Sequence, residues 1–219
     1  MTTQIAIAMY PGLTLLDVVG PYQVFTLVPD VEVVVCAAER GRLSDDNGLI
    51  HIDVEHTFDD VTAPDVVLVG GGFGNRALLQ DGSPIVEWIR AADEHTTWTT
   101  SVCTGSLLLG AAGRLHGRTA TTHWHYADQL EELGATYSSD RVVIDGKYIT
   151  GAGVSAGIDL ALQLTAILAG DDIARAVQLG IEYDPQPPFD AGSPAKAGPE
   201  LVELVAAVSD LAAAQQVSA

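Results

Sequence analysis

Of the two cysteines in the sequence, Cys103 is the one placed to do chemistry. It follows Thr97-Trp98-Thr99-Thr100-Ser101-Val102, a β-branched and aromatic run that suits a buried strand. It precedes Thr104-Gly105-Ser106 and Leu107, Leu108 and Leu109, which open a short helix that Gly113 can end in a left-handed cap. A side chain at so sharp a seam is held clear of both elements. The free N–H groups of the helix start lie beside it and, with the helix dipole, favour an anion. The thiol is therefore expected to lose its proton more readily than a free one and to act as a nucleophile. The alternative is a small buried hydrophobe, the role of most free cysteines. The strand–Cys–Thr–Gly–Ser–helix setting argues against it for Cys103. Cys36, inside Val31-Glu32-Val33-Val34-Val35-Cys36, fits that role well.

A sulfur nucleophile needs a proton partner, and Asp17 is the candidate. Its neighbours Leu13, Leu15, Leu16, Val18 and Val19 give the carboxyl an apolar setting. The competing reading is a helix N-cap, where Asp is common. A thiolate and a carboxylate in one dry pocket repel, so they would share a proton, and Asp17 would become a usable shuttle. Gly71 and Gly72, in Gly70-Gly71-Gly72-Phe73-Gly74, offer backbone N–H groups. That run has a superficial likeness to a dinucleotide loop, but Asn75 stands where the third glycine belongs and the run follows the third strand, so no nucleotide cofactor is expected. His123 and His125 stand two apart and could share a strand face. No cysteine, histidine or carboxylate is spaced to complete a ligand set, so no metal is expected. His51, His56, His95 and His116 have no motif around them and read as surface. Ser101 and Ser106 lack the G-x-S-x-G frame of a serine nucleophile.

These groups must be brought together by the elements between them. Ile5–Met9 reads as the first strand of a buried sheet, broken by Tyr10-Pro11-Gly12. A helix over Leu16–Leu27 follows, with Gly20-Pro21 expected to kink or restart it. Val31–Ala37 is the second strand. Pieces around Ile50-His51-Ile52 and Val54, with turns at Asn47-Gly48 and Asp59-Asp60, read as a small antiparallel excursion. Asp65–Val69 is the third strand, and Ser83–Glu94 a helix with Pro84 at its first position and Ile85, Trp88, Ile89 and Ala92 on one face. After the elbow come an extended piece, Gly117–Trp124, and a helix over Ala127–Leu133. A hairpin over Val142–Thr150 turns at Asp145-Gly146. Helices over Ser155–Leu168, Asp171–Glu182 and Pro199–Gln215 complete the chain, with the Pro-rich 184–189 irregular. Strands alternating with helices predict an α/β fold, a parallel sheet with helices on both faces. In a flavodoxin-like strand order (2-1-3-4-5) the turns after strands one, three and four open on one crevice, the switch point where such sheets bind ligands. Asp17, Gly71, Gly72 and Cys103 would meet there.

The totals narrow the function. At 219 residues the whole chain, 1–219, is expected to form a single domain with a substantial core. A net charge of −19 would repel phosphate backbones and anionic membranes, so neither nucleic acid nor membrane is an expected partner. No apolar run approaches the ~18–20 residues of a membrane span, and Met1-Thr2-Thr3-Gln4 leads into a strand without the features of a secretory signal. Two cysteines make no disulfide framework, which points to a cytoplasmic location.

The elbow Ser101-Val102-Cys103-Thr104-Gly105-Ser106, the Val69-Gly70-Gly71-Gly72 turn and Thr122-His123-Trp124 together resemble the ThiJ/PfpI superfamily, with its flavodoxin-like fold. Within it the chain is most similar to the isocyanide hydratases. Leu16-Asp17 with Gly20-Pro21, the run Ile149 to Asp159, and Glu182-Tyr183-Asp184-Pro185-Gln186-Pro187-Pro188-Phe189 carry that closer likeness, which covers nearly the whole chain. The resemblance implies Cys103 as nucleophile and Asp17 as acid/base, with Thr104, Gly71 and Gly72 binding substrate or its developing charge. It adds His123 and Val154 as possible pocket residues. It further implies a homodimer, no cofactor, and a small isocyanide as substrate, hydrated through a Cys103 thioimidate to an N-substituted formamide. Phe73, Val154 and Leu16 are the kind of apolar residues such a pocket would use. Thr104 stands where superfamily proteases place a histidine, and Asp17 where many other members carry a glutamate. Both favour a hydratase. Ala152, in a stretch that relatives fill with glycine, could reshape the pocket. The alternatives are a cofactor-free glyoxalase or deglycase acting on methylglyoxal-type aldehydes, and a non-enzymatic redox or ligand sensor. Against the sensor, no DNA-binding domain is expected before the chain ends near Ala219.

Overall fold

A seven-stranded sheet carries the structure. The computed structural model describes residues 2–216. The strands of this sheet are β1 (Thr3–Ala8), β2 (Val31–Ala37), β5 (His56–Thr57), β6 (Val66–Val69), β7 (Trp98–Val102), β10 (Val142–Asp145) and β11 (Tyr148–Gly151). All neighbours run parallel except the β10–β11 hairpin. Ile5 pairs with Val33 on one side and Val66 on the other, and Leu68 with Thr100. β6 is buried at every residue, which is why Val66-Val67-Leu68-Val69 is a continuous apolar run. The order β2-β1-β6-β7-β11 is the flavodoxin-like arrangement, with helices packed around the sheet.

Those helices fall into two groups. α1 (Leu15–Phe25), α5 (Ala156–Ala169) and α6 (Asp171–Gly180) pack in sequence on one another. α2 (Pro84–Asp93), α3 (Gly105–Ala111) and α4 (Ala127–Glu132) form the second set. α7 (Pro194–Ala197) leads into α8 (Pro199–Gln216), which reaches the 3₁₀ segment Phe73–Leu78. α8 leaves Leu201, Leu204, Val208 and Leu211 exposed in a row.

Four local expectations are corrected. α1 runs unbroken through Gly20-Pro21 and ends two residues early. The missing Cβ of Gly157 lets α5 lie against the Pro21 ring, and Gly20 similarly accommodates Ile158, so this pair serves close helix packing. The excursion after β2 is antiparallel as expected, and what differs is its pairing: 51–54 form one strand, β4 (His51–Val54), whose partner is β3 (Gly41–Ser44), in a ribbon separate from the main sheet. Its first strand, Gly-Arg-Leu-Ser, has little β propensity and is held by register with β4. The stretch 117–124 is strand only at Thr119–Ala120 (β8), which pairs with Thr136–Tyr137 (β9). His123 and His125 therefore share no strand face: they lie at the start of, and within, a 3₁₀ turn at Trp124–Tyr126.

One contact fixes how the site is assembled. A Cβ on Gly105 would stand 2.1 Å from the Val69 carbonyl oxygen, so the first turn of α3 rests directly on the end of β6. Gly105→Ala should therefore be among the most damaging single-methyl changes, with a loss of about 3 kcal/mol, the upper end for overpacking. Gly180→Ala, at the end of α6 with nothing within 4 Å, should be neutral or slightly stabilising. Denaturant midpoints of the two variants check the contrast.

Candidate active site

Three turns at the carboxyl ends of β1, β6 and β7 meet at Cys103. The residue has φ +57°, the left-handed region that non-glycine side chains avoid, because the chain must pass from β7 into α3 within two residues. Its backbone is held on both sides. The Cys103 N–H donates to the carbonyls of Gly151 (3.0 Å) and Ala152 (2.8 Å) after β11. Its own carbonyl accepts from the hydroxyls of Ser106 and Thr122, each at 3.1 Å. The sulfur is left to face the N–H groups of Thr104 and Val154 and the Thr104 hydroxyl.

Asp17 comes to the sulfur from α1. It is fully buried in the first helical turn, and Thr14 occupies the N-cap, so Asp17 is not the cap of this helix. Its Oδ2 accepts the Gly71 N–H at 2.6 Å, while Oδ1 is buried without a hydrogen-bond partner. Thr104 ties the same turns together from α3. Its Oγ1 accepts the Gly72 N–H at 3.1 Å, and its carbonyl accepts from the Asn75 amide at 2.9 Å. A Cβ on Gly71 would stand 2.5 Å from the Thr104 nitrogen and 3.0 Å from Asp17 Oδ2. The glycine is what lets acid, nucleophile and N–H groups crowd together.

Electrostatics corrects one expectation about the thiol. Burial pushes the Cys103 thiol up, and the nearby Asp17 charge pushes it further, against the opposing pull of the Val154 and Thr104 N–H groups. It does not lose its proton more readily than a free cysteine while Asp17 is charged. Burial also lifts Asp17 to about 7, in spite of the Gly71 N–H and the Cys103 thiol that favour its carboxylate. Two acids that each disfavour the other's charge titrate as a pair, so the proton shared between them is the relevant quantity. When Asp17 holds the proton its charge no longer opposes the thiolate, and burial is then the chief cause holding the thiol up.

Cys103 opens on a cavity of about 240 Å³; Asp17 and Gly71 are not on its lining and lie behind the sulfur, tied to each other through the Gly71 N–H. Cys103, Thr104 and Gly72 form its buried floor, and Phe73, Leu107 and Val154 are apolar wall. Leu16 is excluded from it: that side chain is 43% exposed on the outer face of α1. Ala152 does not line it either, and acts through its carbonyl on the Cys103 N–H. His123 does line it; its Nδ1 accepts the His125 N–H at 3.4 Å, which leaves the ring proton on Nε2. Burial lowers its pKa, with His125 adding to the shift, so the ring is neutral at pH 7. His125 turns away to Asp210 of α8, 2.9 Å distant, and Ser209 beside it reaches the cavity. Among the described residues no group of three or more His, Cys, Asp or Glu could hold a metal ion.

Sequence reasoning missed Asn75, Arg76, Tyr126 and Gln129, all of which line the cavity. Asn75 had a signal, a polar residue directly after a glycine-rich turn, where its amide can hold a neighbouring carbonyl. The other three carry none, since only the fold brings 76, 126 and 129 to one opening.

The profile of the DJ-1/PfpI family matches residues 3–167. This chain belongs to the DJ-1/PfpI family. It is 44% identical over 203 residues to the isonitrile hydratase of Pseudomonas putida, covering 93% of this chain and 88% of that one. A crystal structure of a ThiJ/PfpI family protein from Pseudomonas syringae superposes with a TM-score of 0.88 at 37% identity, covering 99% of this chain and 91% of that one. The HTH-type transcriptional regulator CdhR of Pseudomonas aeruginosa is 32% identical over 145 residues, 65% of this chain and 42% of the regulator. Asp17, Gly71, Gly72, Cys103, Thr104, His123 and Val154 all fall inside the DJ-1/PfpI segment, whereas Ser209 on the cavity wall comes from α8 beyond it.

Proposed function

We propose that this protein is an isocyanide hydratase, adding water to an isocyanide to give an N-substituted formamide with Cys103 and Asp17 as its catalytic pair. The observation that carries the reading is a carboxyl lifted to about 7, pinned by one oxygen on the Gly71 N–H, beside the only cysteine that faces the apolar cavity. The likeness to the isonitrile hydratase of Pseudomonas putida supports it.

The reaction begins with the pair holding its shared proton on Asp17. The Cys103 sulfur attacks the terminal isocyanide carbon, and Asp17 gives that carbon its proton, forming a thioimidate, R–N=CH–S–Cys103. Asp17, now a carboxylate, takes a proton from water as the water oxygen adds to the same carbon, and passes that proton to the nitrogen. The C–S bond then breaks, releasing R–NH–CHO and returning one proton to the pair. Substrate and water supply every atom of the product, and no electrons are gained or lost. The N–H groups of Thr104 and Val154, aimed at the sulfur, stabilise it as an anion before attack and again as it leaves. Phe73, Leu107 and Val154 suit a small apolar substrate, and Thr104, Gly71 and Gly72 hold the turn geometry.

The same reading takes residues 1–219 as one domain acting in the cytoplasm without cofactor; a hydrophobic core with members from Ile5 to Val177 supports the single domain. No helix among the described residues is long and apolar enough to cross a membrane. It also takes the active form as a homodimer, supported by the exposed row Leu201, Leu204, Val208 and Leu211 on α8. Incubating purified protein with n-butyl isocyanide should convert it to N-butylformamide, read by proton NMR, while methylglyoxal in a parallel tube is left unchanged. Consumption of methylglyoxal with no formamide from the isocyanide would move the assignment to the glyoxalase or deglycase alternative.

A further inference from the structure

The ten lysines and arginines of this −19 chain are almost all committed to carboxylates. Arg40, Arg90, Arg114, Arg118, Arg141, Lys147, Arg175 and Lys196 each make an ion pair. Among the described residues that leaves Arg42, on the outer ribbon, and Arg76. Arg76 is exposed and lines the same cavity that has the buried Cys103 at its floor, so its guanidinium belongs to the mouth.

A second observation points to the same place. Tyr126 also lines the cavity and is 8% exposed, yet its hydroxyl is buried with no hydrogen-bond partner. A phenol left so is unusual, since a buried hydroxyl normally finds a partner. Arg76, Cys103 and Asp210 all lie close enough to act on its charge. Gln129, one helical turn further along, adds an amide to the wall. The acidic side chain on this wall, Asp46, accepts from the Thr14 hydroxyl (2.7 Å) and the Asn47 amide (2.8 Å). Asp210 is engaged by His125. The cavity is therefore apolar beside the sulfur and rich in donors further out.

We infer that Arg76 and Tyr126 form a carboxylate-binding subsite, and that the preferred substrates are short isocyanides carrying a carboxylate at the end remote from the isocyanide carbon. This rests on the hydratase reading for its chemistry and deepens it. The guanidinium donates two parallel hydrogen bonds to the carboxylate, the Tyr126 hydroxyl donates a third, and the isocyanide carbon is directed to the floor. The product would be an N-formyl amino carboxylate. A plain alkyl isocyanide would leave the Tyr126 hydroxyl unpartnered and gain nothing from Arg76.

The test pairs 3-isocyanopropanoate with its neutral isostere, isopentyl isocyanide. Wild type should favour the carboxylate by about 10-fold or more in kcat/KM, the scale of a charge-assisted hydrogen bond. Arg76→Gln should bring that ratio to 1 or below, Arg76→Lys should keep part of it, and Tyr126→Phe should reduce it by several-fold. Each ratio is taken within one protein, so a general loss of activity cancels. Equal use of both isocyanides by wild type, or an unchanged ratio in Arg76→Gln, overturns the subsite. Binding of N-formyl-β-alanine against N-isopentylformamide, followed by calorimetry, separates this from the hydratase reading. If neither isocyanide is turned over the hydratase reading fails, and the subsite still stands or falls on whether the carboxylate ligand binds about 10-fold tighter and loses that margin in Arg76→Gln.

Discussion

Cys103→Ala is expected to abolish isocyanide hydration, by on the order of 10⁵-fold or more, the scale seen when a covalent nucleophile is removed from a preorganised site. The protein should remain folded. The backbone at 103 is held by hydrogen bonds to the Gly151 and Ala152 carbonyls and from the Ser106 and Thr122 hydroxyls, none of which involves the thiol. Cys103→Ser should be nearly as inactive, because a hydroxyl is far harder to ionise than a thiol beside Asp17. Cys36→Ala is the control. That thiol is buried in β2 and pushed up to about 12 by burial, so its loss should leave turnover largely intact. Formamide production by NMR over a long incubation reads both. Appreciable turnover by Cys103→Ala would end the covalent mechanism.

Asp17→Asn should reduce turnover by ~10²–10⁴-fold, the range for losing a general acid–base. The amide oxygen can still accept the Gly71 N–H, but the group can no longer pass a proton at neutral pH. Sulfur could still add to the isocyanide and stall, so mass spectrometry should be able to find substrate mass on Cys103. pH separates this from a structural role. In wild type, activity should rise through about 7 as the Asp17–Cys103 pair gives up the first of its two protons, and Asp17→Asn should lack that rise. Stability should carry the opposite sign. Asp17 is raised on folding from the ordinary carboxylate range to about 7, so the folded state holds a proton that the unfolded chain has released. Its contribution is fully present below pH ~4 and is lost as pH rises through about 7. Urea unfolding at pH 5 and pH 8 should show that loss in wild type and not in Asp17→Asn. Near-normal turnover by a folded Asp17→Asn protein would remove Asp17 from the mechanism.

The main sheet was readable because its strands are dense apolar runs between turn residues. Val31–Ala37 is strand over the residues expected, and the turns bearing Asp17, Gly71 and Cys103 converge as the flavodoxin-like order requires. Errors arose where tertiary contacts override local preference. Gly41–Ser44 becomes a strand because β4 lies beside it, and α1 passes through Pro21 because α5 supports it. His123 and His125 alternate like strand residues but sit in a 3₁₀ turn tied to α8 through Asp210. The acidity of Cys103 was misjudged for a related reason. The helix-start donors were visible in the sequence, while the depth of burial that outweighs them was not. Arg76 and Tyr126 were invisible because fifty residues separate them along the chain.

The parallel sheet has a kinetic consequence. The strands that carry the three turns are distant in sequence: Ile5 pairs with Val66, and Val66 with Trp98. Such pairings close long loops before they return any contact, so they form slowly. The helices between them are local and form early. A refolding chain should therefore recover most of its helical signal well before the Gly71 N–H reaches Asp17 or α3 settles on the end of β6. Catalytic competence is then among the last properties to return, and its recovery reports sheet closure rather than chain collapse.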